Sequence, residues 1–150
     1  MRRVKGSGQK RRGEVDLADD TDMSPLECVL SFCSAWTGPD LDRVIAHLAP
    51  DITYHNIPME PLSGLAAVER YLRGVGPLTD SAWEVRHAAA NGDHVLTERI
   101  DRMTIGGARV ELPLMGVFRV RDNLICEWRD YFDLASYRAQ MAALGTPKGH

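Results

Sequence analysis

The second half of the chain reads as strands joined by short turns. Trp83, Val85, His87 and Ala89 alternate with polar positions; a second run covers residues 94–105. A third run, from Ala108, puts Val110, Leu112, Leu114, Gly116, Phe118 and Val120 on one face. A fourth, residues 124–133, is rich in aromatic and β-branched residues. Asn91-Gly92, Gly106-Gly107 and Arg121-Asp122-Asn123 are the turns between them. Strands joined by such short turns can pair only antiparallel, so this half is predicted to be a meander. Its apolar face needs a cover, and only the first half can supply one.

That cover is predicted to be helical. Ser24-Pro25-Leu26-Glu27 opens a helix: Ser24 can cap it, Pro25 suits its first position and Glu27 completes a capping box. Leu26, Val29, Leu30 and Cys33 form its apolar stripe, and Gly38-Pro39 ends it. A second helix follows Asp40, with Leu41, Val44, Ile45 and Leu48 at helical spacing, stopped by Pro50. Residues 52–56 read as a short strand, with Ile52, Tyr54 and Asn56 on one face. A Pro-rich loop leads to a third short helix bearing Leu65, Val68 and Leu72, which ends near Gly74 and Gly76. A last helix spans residues 134–144, and Pro113 marks a bulge or an edge in the third strand of the meander. The fold class is therefore α+β, helices packed on one face of a curved sheet with a pocket at its open end.

Length and charge narrow the partners. The 150 residues suit one domain. Residues 1–22 are predicted to be a disordered basic tail and 23–150 a single catalytic domain. Six basic residues lie within the first 12 positions; the other 12, against 21 acidic residues, leave the rest at −9. No aromatic residue accompanies the basic run, so a solvated tail is expected rather than a nucleic-acid contact. No apolar run reaches the roughly 20 residues of a membrane span. Cys28, Cys33 and Cys126 lack metal-site or redox spacing and read as reduced thiols of a cytoplasmic protein. His47, His55, His87 and His94 lack ligand spacing and read as structural or surface groups. No metal site is expected.

Chemistry enters at Asp130. Strict alternation puts Leu124, Cys126, Trp128, Asp130 and Phe132 on one face and Ile125, Glu127, Arg129, Tyr131 and Asp133 on the other. Asp130 is then the only charge among apolar neighbours, and a buried carboxylate needs a partner. Arg99 and Asp101 share a face with Val95, Thr97 and Met103. If that face is concave, Arg99 can hold both carboxylates through its fork of donors. The unit would carry −1, so one proton would neutralise it. One carboxyl could then be protonated and the other ionised, as an acid–base pair requires. Tyr54 and Asn56 are neutral groups able to hold a water beside Asp130. Taken singly, Arg99-x-Asp101 also fits a solvated ion pair and Asp130 a buried structural pair. An isomerase or dehydratase, or a non-catalytic binding protein on the same fold, remains open to these residues.

Four segments carry a resemblance. Tyr54-His55-Asn56-Ile57-Pro58, Leu96-Thr97-Glu98-Arg99-Ile100-Asp101, Met115-Gly116-Val117-Phe118 and Trp128-Arg129-Asp130-Tyr131-Phe132-Asp133 resemble, in the same order, the limonene-1,2-epoxide hydrolases. The resemblance implies a cone-shaped fold of the nuclear-transport-factor-2 type with a deep pocket, in a homodimer. It implies one-step addition of water to a small epoxide, with no cofactor. It assigns Asp130 as base, Asp101 as acid and Arg99 as the bridge, with Tyr54 and Asn56 holding the water. Departures fall in the pocket loop Met59-Glu60-Pro61-Leu62 and at Pro113-Leu114-Met115.

Overall fold

The computed structural model describes residues 23–38, 40–75 and 78–145. The expectation for residues 1–22 lies outside the described residues, as does the part of the first helix stop that rests on Pro39 and of the third that rests on Gly76. The element order is α1 (Pro25–Ala35), α2 (Leu41–Ile45), β1 (Leu48–Asn56), β2 (Leu62–Ser63), α3 (Leu65–Gly74), β3 (Leu78–Asn91), β4 (His94–Ile105), β5 (Ala108–Arg121), β6 (Leu124–Tyr131) and α4 (Leu134–Gly145). The strands form one six-stranded sheet in the order β2-β1-β6-β5-β4-β3. The β3–β6 meander is antiparallel, and β1 joins it by pairing parallel with β6. The sheet is mixed, curved and open, as the α+β reading requires.

Helix α1 begins as its sequence dictates. The Ser24 hydroxyl accepts from the Glu27 N–H at 3.1 Å, and the Glu27 carboxylate accepts from the Ser24 N–H at 3.3 Å. The buried face is Cys28, Val29, Phe32 and Cys33. Leu30, expected inside, is 39% exposed, and Phe32 takes that place. Phe32 then meets Trp36, Trp83, Phe118 and Trp128 edge-on, with ring centroids 5.0–6.1 Å apart. This aromatic cluster ties α1 to the concave face of the sheet.

The second helix stops earlier than its apolar spacing suggests. It ends at Ile45, and Leu48 opens β1 instead of closing the helix. The His47 imidazole takes the Arg43 carbonyl at 2.8 Å, and the Ile125 N–H donates to the His47 carbonyl at 2.9 Å. Pairing with β6 thus draws in residues that would otherwise extend the helix. Pro50 does not stop a helix; it sits inside β1, where the register with β6 slips between Leu48 and Thr53. A proline lacking its N–H is tolerated at such an irregularity.

Two further irregularities overturn strict alternation. In β3 the register shifts between Val85 and His87. Trp83 and Val85 therefore pack on the core, whereas His87 turns outward to the Glu98 carboxylate at 2.9 Å. In β6 a shift opposite Arg119 and Val120 buries Ile125 together with Cys126, so Ile125 leaves the outer face assigned to it. From Trp128 onward the alternation resumes. Pro113 lies in unbroken register with β4, and β5 pairs with β6 only from Met115 onward. Its edge reading holds and its bulge reading does not. The Gln140 amide of α4 covers that free edge, accepting from the Glu111 N–H at 2.7 Å and donating to the Glu111 carbonyl at 2.9 Å.

Candidate active site

Strand β4 presents Thr97, Arg99 and Asp101 to the concave interior, where Arg99 is 0% and Asp101 3% exposed. Arg99 Nε and Nη2 donate to the two carboxylate oxygens of Asp101 at 3.0 and 3.1 Å. Nη1 donates to the Thr97 hydroxyl at 2.9 Å. Nη2 also donates to Asp130 Oδ1 at 3.1 Å, two strands away. The guanidinium carbon lies 4.2 Å from the Trp83 ring centroid, so an aromatic face covers the ion pair. One arginine thus bridges two buried carboxylates, as the face arithmetic anticipated.

Asp130 holds its other oxygen to the indole of Trp128, whose Nε1–H donates to Oδ2 at 3.0 Å. Alternation puts Trp128 and Asp130 on one face, yet this bond escaped sequence reasoning. Thr97 was likewise placed on the right face without its role as acceptor for Arg99. The i, i+2 spacing was the available signal in both cases.

The parallel register of β1 and β6 brings the remaining pair into place. Tyr54 lies opposite Trp128 and Asn56 opposite Asp130. The Tyr54 ring stacks on Trp128 at 3.8 Å, and its hydroxyl donates to Asn56 Oδ1 at 3.0 Å. All five residues singled out from the sequence therefore surround one cavity or support its wall. The cavity is about 100 Å³ and includes Tyr54, Asn56, Asp101 and Asp130 in its lining, with apolar walls from Leu72, Leu112, Leu114 and Phe132. One water needs about 10–15 Å³ measured this way, so there is room for a small organic molecule beside a water.

Burial governs the electrostatics. It pushes the Asp101 carboxyl up to about 6, against the pull of Arg99. It also pushes Asp130 up, opposed by Arg99 and by the Trp128 N–H. The two carboxyls share one cation, so a single proton leaves the triad neutral, and they titrate as a pair. Burial and the Asp130 charge raise the Tyr54 phenol well above its ordinary value, so it stays a neutral donor. Burial pushes the neighbouring Cys33 thiol up to about 12, which keeps it uncharged beside the triad. The arrangement can hold one protonated and one ionised carboxyl at neutral pH, next to a polar clamp able to seat a water.

Among the described residues the four histidines have partners of their own. His47 bonds Ser31 and Arg43, His55 the Met59 carbonyl, His87 Glu98, and His94 pairs with Asp93.

Gly116 explains how Arg99 reaches Asp130. It is the β5 residue flanked by Thr97 on β4 and Asp130 on β6. A Cβ here would overlap Arg99 Nη1 and stand 2.9 Å from Asp130 Oδ1. Arg99 is pinned by four hydrogen bonds and cannot swing aside. Gly116→Ala is therefore expected to lower stability by about 1–3 kcal/mol and activity at least tenfold. Denaturant unfolding and a turnover assay would check it; unchanged turnover would show that the bridge tolerates displacement.

Residues 23–142 match the family described as the limonene-1,2-epoxide hydrolase catalytic domain. The chain belongs to that family. Among its relatives is the epoxide hydrolase EphG of Mycobacterium tuberculosis, 36% identical over 106 residues that make up 71% of each chain. The solved structure of an M. tuberculosis epoxide hydrolase like those of this family is also similar. It is 32% identical, has a TM-score of 0.70 and covers 81% of this chain and 92% of its own. A SnoaL-like polyketide cyclase structure from Shewanella putrefaciens, described as putative, reaches TM-score 0.70 at 15% identity, covering 81% of this chain and 99% of its own. That likeness shows the fold alone. As a family member the protein is an epoxide hydrolase on a curved, open α+β scaffold.

Proposed function

We propose that the protein adds water in one step to a small, mostly apolar epoxide, giving a vicinal diol. The observation that carries this reading is the fork of Arg99 Nη2 between Asp101 and Asp130 at the wall of an otherwise apolar cavity. Tyr54 and Asn56 hold a water against Asp130. Asp130 takes a proton from that water as its oxygen attacks a ring carbon. The carbon–oxygen bond of the ring breaks, and the departing oxygen takes a proton from Asp101. The triad loses one proton and gains one, so its charge stays constant and no buried ion is left unpaired. Atoms and charge balance with water alone, so neither a cofactor nor a metal is called for.

Direct attack makes a prediction about oxygen. With enzyme in excess over substrate and ¹⁸O-labelled water, the diol of the first turnover is expected to carry the label fully. Mass spectrometry of quenched enzyme should show no ester. An unlabelled first-turnover diol would mean that a carboxylate attacks first and would overturn the role of Asp130 as base.

The protein is proposed to act as a homodimer. Leu96, Met115 and Tyr131 are exposed on the outer face of β4, β5 and β6, an apolar surface suited to a second copy. Free, buried Cys28, Cys33 and Cys126 agree with a cytoplasmic location. Among the described residues no helix is long and apolar enough to cross a membrane.

A further inference from the structure

Two cavities meet beside Tyr54 and Asn56. The main one, about 100 Å³, has both carboxylates in its lining. A second, of about 60 Å³, is lined by Tyr54, Asn56, Met59, Glu60, Leu62 and Tyr71. Tyr54, Asn56, Met59 and Tyr71 line both cavities, so they form the partition between them. Glu60 and Leu62 belong, with Met59, to the stretch in which the sequence departs from the family pattern. Pairing of β2 with β1 sets Leu62 opposite Tyr54, which ties the far side of the small cavity to the sheet.

Three of the four partition residues are held by their neighbours. Tyr54 stacks on Trp128, and its hydroxyl donates to Asn56 Oδ1. Tyr71 sits on α3 with its ring tilted against that of Tyr54, centroids 5.9 Å apart. Met59 differs. Its backbone is pinned on both sides: its N–H donates to the Asn56 carbonyl at 2.7 Å, and its carbonyl meets His55 Nε2 at 2.9 Å. The Ile57 N–H donates to the Asp130 carbonyl at 2.9 Å, which moors the same loop to β6. Among the described residues no hydrogen bond holds the Met59 side chain. That side chain is unbranched, with three rotatable bonds, and Met59 is 36% exposed. A fixed backbone thus carries a movable apolar side chain, which can swing aside without breaking a hydrogen bond.

We propose that Met59 is a specificity-determining residue: it gates a side arm of the substrate cavity, and that arm takes an unbranched alkyl chain carried by the epoxide. The chemistry follows from the lining. The passage runs between Met59 and the rings of Tyr54 and Tyr71, with Leu62 beyond, so it suits methylenes rather than a charged group. It is slender beside the main cavity, so it suits a chain and not a second ring. Glu60 is exposed and marks the end of the arm that meets solvent. The epoxide ring stays at the carboxylates while the chain runs past Met59. The inference rests on the epoxide hydrolase reading above and names a substrate class within it.

The test compares 1,2-epoxyoctane with 1,2-epoxybutane, which differ only in chain length, in wild type, Met59→Ala and Met59→Phe. Met59→Ala opens the partition and is expected to raise the ratio of kcat/KM, long chain over short, about tenfold relative to wild type. Met59→Phe fills the passage and is expected to lower that ratio by a similar factor. Calorimetric Kd values for 1,2-octanediol and 1,2-butanediol read the same arm without turnover, and the preference for the longer diol is expected to move in the same two directions. Ratios within about twofold of wild type in both variants, or moving the same way in both, would overturn the gate. A wild-type protein inert on every epoxide tried would overturn the hydrolase mechanism, and with it the substrate class named here. Active wild type with unmoved ratios overturns the gate alone.

Discussion

Asp130→Asn is expected to fold like the wild type and to lose activity by about 10²–10⁴-fold, the usual contribution of a general base. The amide keeps the shape of the carboxylate, but it has one acceptor oxygen where the carboxylate has two, so it can accept from Arg99 or from Trp128 Nε1 while the other N–H loses its acceptor. Its substitution also leaves Arg99 paired with Asp101 alone, a neutral unit that the interior tolerates. The ability to take a proton from water is gone, and the orphaned N–H costs about 1–3 kcal/mol of stability, too little to unfold the domain. Asp101→Asn is expected to fall by a similar factor, because the opening ring would lose its proton source. A folded Asp130→Asn protein with turnover close to the wild type would refute the acid–base assignment. Thermal unfolding on the same samples separates lost chemistry from lost structure.

The largest structural effect is expected at Arg99. Among the described residues Arg99 is the only cation bonded to Asp101 and Asp130, and Arg99→Leu leaves two carboxylates that are each 3% exposed. Breaking a buried pair on one side costs about 3–5 kcal/mol, against a total stability of about 5–15 kcal/mol for a domain. Denaturant unfolding at pH 7 should show a loss of that size. The pH dependence has a definite sign. The folded pKa of Asp101, about 6, lies above its unfolded value near 3.9. The folded state therefore binds more protons between these values, and this group's contribution is fully present below about pH 4 and lost as pH rises through 6. Without Arg99 the raise should grow, so Arg99→Leu is expected to recover part of its stability on going from pH 7 to pH 5. A loss that stays constant across this range would show that the carboxylates are not what destabilises the variant. Asp51, Glu84 and Asp93, held below the usual carboxylate range by Arg121, Arg102 and Arg119, act in the opposite direction. Comparison with wild type at each pH cancels them.

The local signals in the chain were sufficient for the element types and for one face of the site. A capping box at Ser24 and Glu27 depends on four consecutive residues and formed as read. Arg99 and Asp101 share a face because side chains on one strand repeat every two residues, and no irregularity lies between them. Asp130 could be singled out because a carboxylate between Trp128 and Phe132 conflicts with its surroundings, and the structure resolves the conflict by pairing it. The same locality explains the failures. A register shift adds one residue whose side chain leaves no mark on the sequence pattern, so Ile125 and His87 were each put on the wrong face. The helical spacing from Leu41 to Leu48 was real, but pairing with β6 outweighed it at Leu48.

Neighbours within a few positions dictate the capped first helix, the turns, the shared face of Arg99 and Asp101 on β4 and the presence of a carboxylate needing a partner. The alignment of segments far apart in the chain, and with it that this face of β4 is the concave one, comes from long-range packing. The parallel register of β1 with β6 sets Tyr54 against Trp128 and Asn56 against Asp130 across more than 70 residues of chain. Gly116 leaves room for Arg99 to cross to Asp130, and Trp128 turns from a core aromatic into a hydrogen-bond donor to the same carboxylate. Strand register arises from the whole ladder of backbone hydrogen bonds and from the packing of both faces, and no short stretch of residues encodes it.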